Sequence, residues 1–133
     1  MEEAIAKAQT LVEALGYIQR FSDKIIVVKM GGSVMDDERA MSDIMTDIVF
    51  MNTVGMRPVL IHGGGAAISR AMAAAGLEAR FVQGRRYTDD ATLRIVEQVL
   101  AYEINESIAR QIETIGGRAE PLNFRTRNLL FGE

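Results

Sequence analysis

Two stretches of this chain place bare backbone after a β-branched run: Ile25-Ile26-Val27-Val28-Lys29-Met30-Gly31-Gly32 and Val59-Leu60-Ile61-His62-Gly63-Gly64-Gly65. Each reads as a buried parallel strand opening into a loop, and a loop without side chains lets backbone N–H groups and a helix N-terminus approach an anion. The first stretch also brings Lys29 to a strand's carboxyl end, where an ammonium group either meets a phosphate or remains a solvated strand end. The glycines have a second reading, in which one makes the turn and the others allow close helix packing. Two such loops side by side point to phosphate or carboxylate chemistry.

A third group, Gly84-Arg85-Arg86-Tyr87-Thr88-Asp89, offers adjacent guanidinium forks that either hold a carboxylate in two hydrogen bonds or stay solvated. Thr88 and Asp89 read as helix caps, and so do Asp36, Asp37 and Glu38, rather than as catalytic carboxylates. His62 is the only histidine, which gives little support to a His-pair metal site or a His-dependent triad; its expected role is a backbone hydrogen bond that shapes its loop. Neither glycine loop has the lysine and hydroxyl of a Walker loop, and neither has the spaced glycines of a dinucleotide fingerprint. No metal ligands are expected.

The elements that must position these groups follow from periodicity. Residues 3 to about 20 place Ile5, Ala8, Val12 and Leu15 at steps of three and four, which predicts an amphipathic helix. It precedes the first strand, so its apolar face packs either on its own domain or on another subunit. A strand over 24–30, a helix with Met41, Ile44, Met45, Ile48 and Val49 on one face, and a strand from Arg57 to His62 come next. A short helix then carries Ile68 and Met72 and stops at Gly76. After a short strand at Arg80-Phe81-Val82, the row Val96, Leu100, Ile104, Ile108 and Ile112 predicts one long helix, on the order of 35 Å, ended by Gly116-Gly117. The alternation predicts an α/β fold with a mainly parallel sheet and helices on both faces. The apolar end, Asn128 to Glu133, reads as a chain cut inside an element such as a hairpin.

Composition narrows the class. At 133 residues and 48% hydrophobic content the chain supports one domain or part of one, and a formal net charge of −3 makes no case for nucleic acid or an anionic membrane. Absence of cysteine removes disulfides and thiolate metal sites and fits a cytoplasmic location. The acidic start and the lack of a long apolar run argue against a secretory signal or a membrane span. The eight methionines fall at helix-spaced positions and read as core filler.

Taken together, Lys29-Met30-Gly31-Gly32, His62-Gly63-Gly64-Gly65 and Gly84-Arg85-Arg86-Tyr87-Thr88-Asp89 resemble, in order and spacing, the amino acid kinase family over nearly all of residues 22 to 120. The nearest members are those that phosphorylate N-acetyl-L-glutamate. The resemblance implies a three-layer αβα sandwich, incomplete here at the C-terminus, and ATP-dependent phosphorylation of the γ-carboxylate of N-acetyl-L-glutamate in arginine biosynthesis. ATP with Mg2+ would be co-substrate, with no tightly bound cofactor. By position, Lys29 is similar to the catalytic lysine, Gly31, Gly32 and Gly63 to phosphate-binding positions, and Gly64, Gly65 and Arg86 to substrate-binding ones. Residues 1–21 resemble the oligomerisation extension of arginine-inhibited members, which implies a homo-oligomer, dimer or hexamer, and arginine as feedback inhibitor. Residues 22–133 would be the N-terminal, substrate-binding part of the kinase domain. The chain departs from the family pattern at Ala66, Arg85 and Asn123-Phe124-Arg125-Thr126-Arg127, on the substrate rim. The family's C-terminal half, with its nucleotide site, is missing, so the expectation is a fragment inactive on its own. Two alternatives stand beside this reading: a relative acting on a carrier-linked aminoadipate, and a non-catalytic binding or assembly module.

Overall fold

A computed structural model of the chain describes residues 1–32 and 34–123. The elements in order are α1 (Glu2–Phe21), β1 (Ile25–Met30), α2 (Glu38–Thr53), β2 (Arg57–His62), α3 (Gly65–Ala74), β3 (Phe81–Val82), β4 (Arg85–Arg86), α4 (Asp90–Glu97), a π-helical segment (Gln98–Ile104) and α5 (Asn105–Thr114). Ser33 and the expected terminal hairpin at 128–133 lie outside the described residues, as do Phe124 to Arg127.

β1 and β2 pair in parallel from Ile25 with Arg57 to Met30 with His62. Their residues alternate between exposed and covered, the period-two signature of a sheet packed on one face. Met30, Val28 and Leu60 point inward, where they meet Met41, Met45 and Ile48 of α2 and Ile108 and Ile112 of α5. Ile25, Val27, Val59 and Ile61 point the other way and are exposed. The α/β class with a parallel sheet holds, and among the described residues one helical layer covers the sheet while its other face is exposed, where burial on both faces was expected.

A second cluster forms where Ile68 and Met72 of α3 pack against Val99 of the π-helical segment. The long helix is not uniform as the sequence predicts. Apolar residues four apart drift by about 40° per step on a helix of 3.6 residues per turn, so one row of them sweeps around the axis. Its early members, Val96 and Leu100, meet α3, its late members meet α2, and Ile104 at the end of the π-helical segment touches both clusters.

The helix ends follow local rules. α5 stops with Gly116 at φ +85°, and the Gly117 and Gly116 N–H groups bond back to Ile112 and Glu113 carbonyls, a Schellman closure. The β3–β4 hairpin turns through Gln83 and Gly84, both at positive φ, as a two-residue turn of primed type requires. The sequence reading found β3 and missed β4.

The α1 helix buries none of its residues, and Leu11 and Val12 are each 72% exposed. Packing on its own domain, one of the two placements left open, is therefore not what the described residues do. No described helix is long and apolar enough to cross a membrane.

Candidate active site

Because the parallel register sets Met30 opposite His62, both glycine turns leave the sheet at one level, side by side. The Gly63 N–H donates to the Met30 carbonyl at 3.2 Å, and a side-chain carbon on Gly63 would lie 4.0 Å from Gly32 N. Between the turns is a cleft of about 120 Å³ lined by Gly32, Met35, Asp36, Gly64, Arg70 and Ile104. A larger hollow, about 590 Å³, runs along β2 between α2 and α5 and is walled by residues 117–122. Gly32 and Gly64, one from each turn, line the smaller cleft and neither lines the larger hollow, so the two turns meet at the smaller one.

The glycines divide into two kinds. At Gly31, Gly32 and Gly65 nothing among the described residues lies within 4 Å of where a Cβ would stand, so protein packing makes no demand there and the backbone is open to a ligand. At Gly64 a Cβ would come 2.5 Å from Leu100 Cδ2 and 2.9 Å from Ile104 Cδ1. Its extended backbone suits any residue, so the requirement is space, and the close-packing reading of a glycine holds at this position.

Helix caps sharpen the distinction. Asp37 caps α2 by accepting from the Arg39 and Ala40 N–H groups, and Asp89 caps α4 by accepting from Thr92 N–H. The backbone N–H of Thr92, then its hydroxyl, hold the Asp89 carboxyl below its ordinary range. By contrast α3, which starts at the second glycine turn, has no side-chain cap. Its first-turn N–H groups are left for solvent or an anion, and Ala66 and Ala67 of that turn line the cleft.

Arg86 lies on β4 and reaches back to α3. Its Nη2 donates to Ser69 Oγ at 2.8 Å and to the Gly65 carbonyl at 3.0 Å, and Nη1 donates to Met72 Sδ at 3.2 Å. The Phe81 ring covers the guanidinium 4.8 Å away. The structure thus joins Gly31-Gly32, Gly63-Gly64-Gly65 and Arg86 into one continuous region. Lys29 is placed differently. It pairs with Ile61 and is exposed, on the face opposite Met30, with no hydrogen bond or ion pair among the described residues. His62 donates from Nδ1 to the Gly63 carbonyl at 3.0 Å, the loop-shaping contact its position predicts.

Three residues expected as caps have other places. Asp36 pairs with Arg70 at 3.0 Å across the cleft, Glu38 is the first helical residue of α2 after the Asp37 cap, and Thr88 donates its hydroxyl to the Arg86 carbonyl. Arg70 and Ser69 have no expected role in the sequence, and Met72 and Phe81 are expected only as parts of a helix face and a strand. Their importance comes from contacts to residues far along the chain, which periodicity does not register.

The chain is a parallel α/β protein whose neighbouring glycine turns and tethered arginine flank an uncapped helix start. The model of the amino acid kinase family matches residues 24–129, and the chain belongs to that family. It is 53% identical over 119 residues to a protein named acetylglutamate kinase from Halothermothrix orenii, covering 90% of this chain and 41% of that protein. It is 45% identical to the acetylglutamate kinase of Thermoanaerobacter pseudethanolicus, covering 98% and 44%. The chain therefore spans about two-fifths of the length of these relatives. Among solved structures it resembles smu.665 of Streptococcus mutans UA159, with TM-score 0.68 and 23% identity over 78% of this chain and 42% of the other. It also resembles an N-acetylglutamate synthase of Neisseria gonorrhoeae, crystallised with coenzyme A and L-arginine, with TM-score 0.58 and 24% identity over 84% and 25%. These two likenesses speak to the fold.

Proposed function

We propose that the chain is the acceptor-binding part of an acetylglutamate kinase, which transfers the γ-phosphoryl group of ATP to the γ-carboxylate of N-acetyl-L-glutamate. The observation that carries the proposal is the convergence of the two glycine turns on one cleft, with Arg86 fastened to the helix that begins there. Relatives named for this reaction support it.

The reaction asks little of an acid or base. A carboxylate reaches the site already deprotonated, so the obstacle is repulsion between it and the phosphate chain of ATP. In this reading the N–H groups at Gly31 and Gly32 face the transferring phosphoryl group, and one well-placed donor of that kind is worth roughly 3 to 4 kcal/mol; Gly63 contributes bare backbone beside them while its own N–H stays on the Met30 carbonyl. Lys29 supplies a positive charge from the strand end and is assigned the catalytic role. Gly64 and Gly65 seat the acceptor, and Arg86 grips its α-carboxylate. Mg2+ enters with ATP as part of the co-substrate; among the described residues no three His, Asp or Glu side chains converge to hold a metal.

In the same proposal α1 is an assembly element, its exposed apolar face seated on another subunit of a homo-oligomer, with arginine as feedback ligand and the cytoplasm as location. Residues 22–133 form the acceptor-binding unit. The experiment is thermal unfolding of the chain with N-acetyl-L-glutamate and with an N-acetylaminoadipate. A ligand that binds only the folded state adds about 2.7 kcal/mol at a hundredfold excess over its Kd. Stabilisation by N-acetyl-L-glutamate that Arg86→Ala abolishes supports the proposal. No stabilisation at any concentration overturns it, and preference for the longer acid moves the chain to the aminoadipate branch.

A further inference from the structure

We propose that Ser69 is a positioning residue for Arg86, fastening the guanidinium that grips the acceptor to the same helix turn that follows Gly64. The inference rests on the assignment of Arg86 as the α-carboxylate grip, and the tests below separate the two.

The geometry is a small closed ring. Ser69 donates its hydroxyl hydrogen to the Gly65 carbonyl four residues earlier, at 3.0 Å. The Ser69 Oγ lone pairs are then turned outward, and one accepts from Arg86 Nη2 at 2.8 Å, while the Gly65 carbonyl accepts from the same nitrogen at 3.0 Å. Three atoms at nearly equal separations subtend about 60° at the nitrogen. Both acceptors therefore sit on one side of the same amino group. Nη1 leans on Met72 Sδ, a weak acceptor, and Nε takes no partner among the described residues. The tether thus holds Arg86 through its two terminal nitrogens and leaves the Nε–H edge open to a carboxylate.

Ser69 is the strong member of that tether. Its contact is the shortest of the three and charge-assisted, whereas the sulfur contact is weak and the Gly65 carbonyl is already shared. Arginine has many rotamers, and ordering such a side chain on binding costs affinity. When Ser69 orders it beforehand, that cost falls on folding and not on ligand capture. Because the ring includes the Gly65 carbonyl, the arginine and the second glycine turn also keep one spacing.

The test uses the whole chain and four variants: Ser69→Ala, Ser69→Thr, Ser69→Val and Arg86→Ala. Thr and Val have nearly the same shape and differ by the hydroxyl, so a folding defect shared by both is separated from loss of the hydrogen bond. The expected result is N-acetyl-L-glutamate affinity lowered about tenfold in Ser69→Val and Ser69→Ala, measured by calorimetry, with Ser69→Thr within about threefold of the native chain. Equal affinity in the Thr and Val variants, with Arg86→Ala still abolishing binding, overturns the positioning role and leaves the acceptor-site reading standing. If Arg86→Ala does not change affinity, the acceptor-site reading fails instead. A second arm needs no ligand: the Arg86 side-chain nitrogens are followed by NMR, with slowed rotation about the guanidinium C–N bonds expected in the native chain and Ser69→Thr and lost in Ser69→Val. Free rotation in the native chain, or no difference between Thr and Val, refutes the tether.

Discussion

The two faces of the β1–β2 sheet are built from alternate residues of the same strands, yet they have opposite surroundings. Inward, Val28, Met30 and Leu60 join a core closed by α2 and α5; outward, Ile25, Val27, Val59 and Ile61 stand exposed beside Lys29. The candidate site is divided along the same line. Gly64 and Arg86 are held by neighbours, Gly64 against Leu100 and Ile104 and Arg86 against Ser69 and Met72, while Lys29 projects from the open side with no partner among the described residues. Strand alternation allots residues to faces, but only a covering layer turns a face into a core. A site that draws on both faces therefore has packing partners on one side and none on the other.

The strongest way to break this comparison is Met45→Ala against Val27→Ala. Met45 is 1% exposed and Val27 61%, so urea unfolding is expected to show about 2 to 5 kcal/mol lost for the first and less than about 0.5 kcal/mol for the second. Equal losses would mean that something in solution covers the outer face. Gly117→Ala comes next. Its Cβ would stand 2.6 Å from Val49 Cγ2 and 3.1 Å from the Ile112 carbonyl, the latter unable to swing aside, so overpacking of about 1 to 3 kcal/mol is expected by the same measurement.

Smaller effects sharpen the picture on the open side. Replacing Leu11 and Val12 by serine is expected to shift the stability of the dilute chain by less than about 0.5 kcal/mol each, because α1 buries nothing against its own domain. A melting temperature that rises with protein concentration, and loses that dependence in the double variant, would give α1 its partner. The smallest effect is at Asp89. Its carboxyl is held below the ordinary value, so its contribution to stability is complete above the unfolded pKa of about 3.9 and vanishes as pH falls through the lower folded value. Asp89→Asn should flatten that part of the acid unfolding curve; an unchanged curve would show that the cap does not matter to folding.

Much of the fold was legible because it rests on local rules. The glycine stops at Gly76 and Gly116, the caps at Asp37 and Asp89, and both central strands appear where residue type and spacing put them. Errors arose where a residue's role depends on a distant partner. Asp36 looks like its neighbour Asp37 in sequence, and only the approach of Arg70, 34 residues on, makes it an ion-pair member instead of a cap. The π-helical segment was hidden because the apolar row has the same spacing whether it faces one cluster or two.

The residue order alone determined which backbone would be bare, which helices would begin and end where, and which charged groups would sit near strand ends, since these depend on steric freedom and hydrogen bonds within a few residues. The tertiary structure alone decided which side of the sheet would be covered, that a side chain at Gly64 would have to displace the ends of Leu100 and Ile104, and that Arg86 would be fastened through Ser69. Those outcomes depend on the distance between groups far apart in the chain, and packing, not local preference, sets that distance.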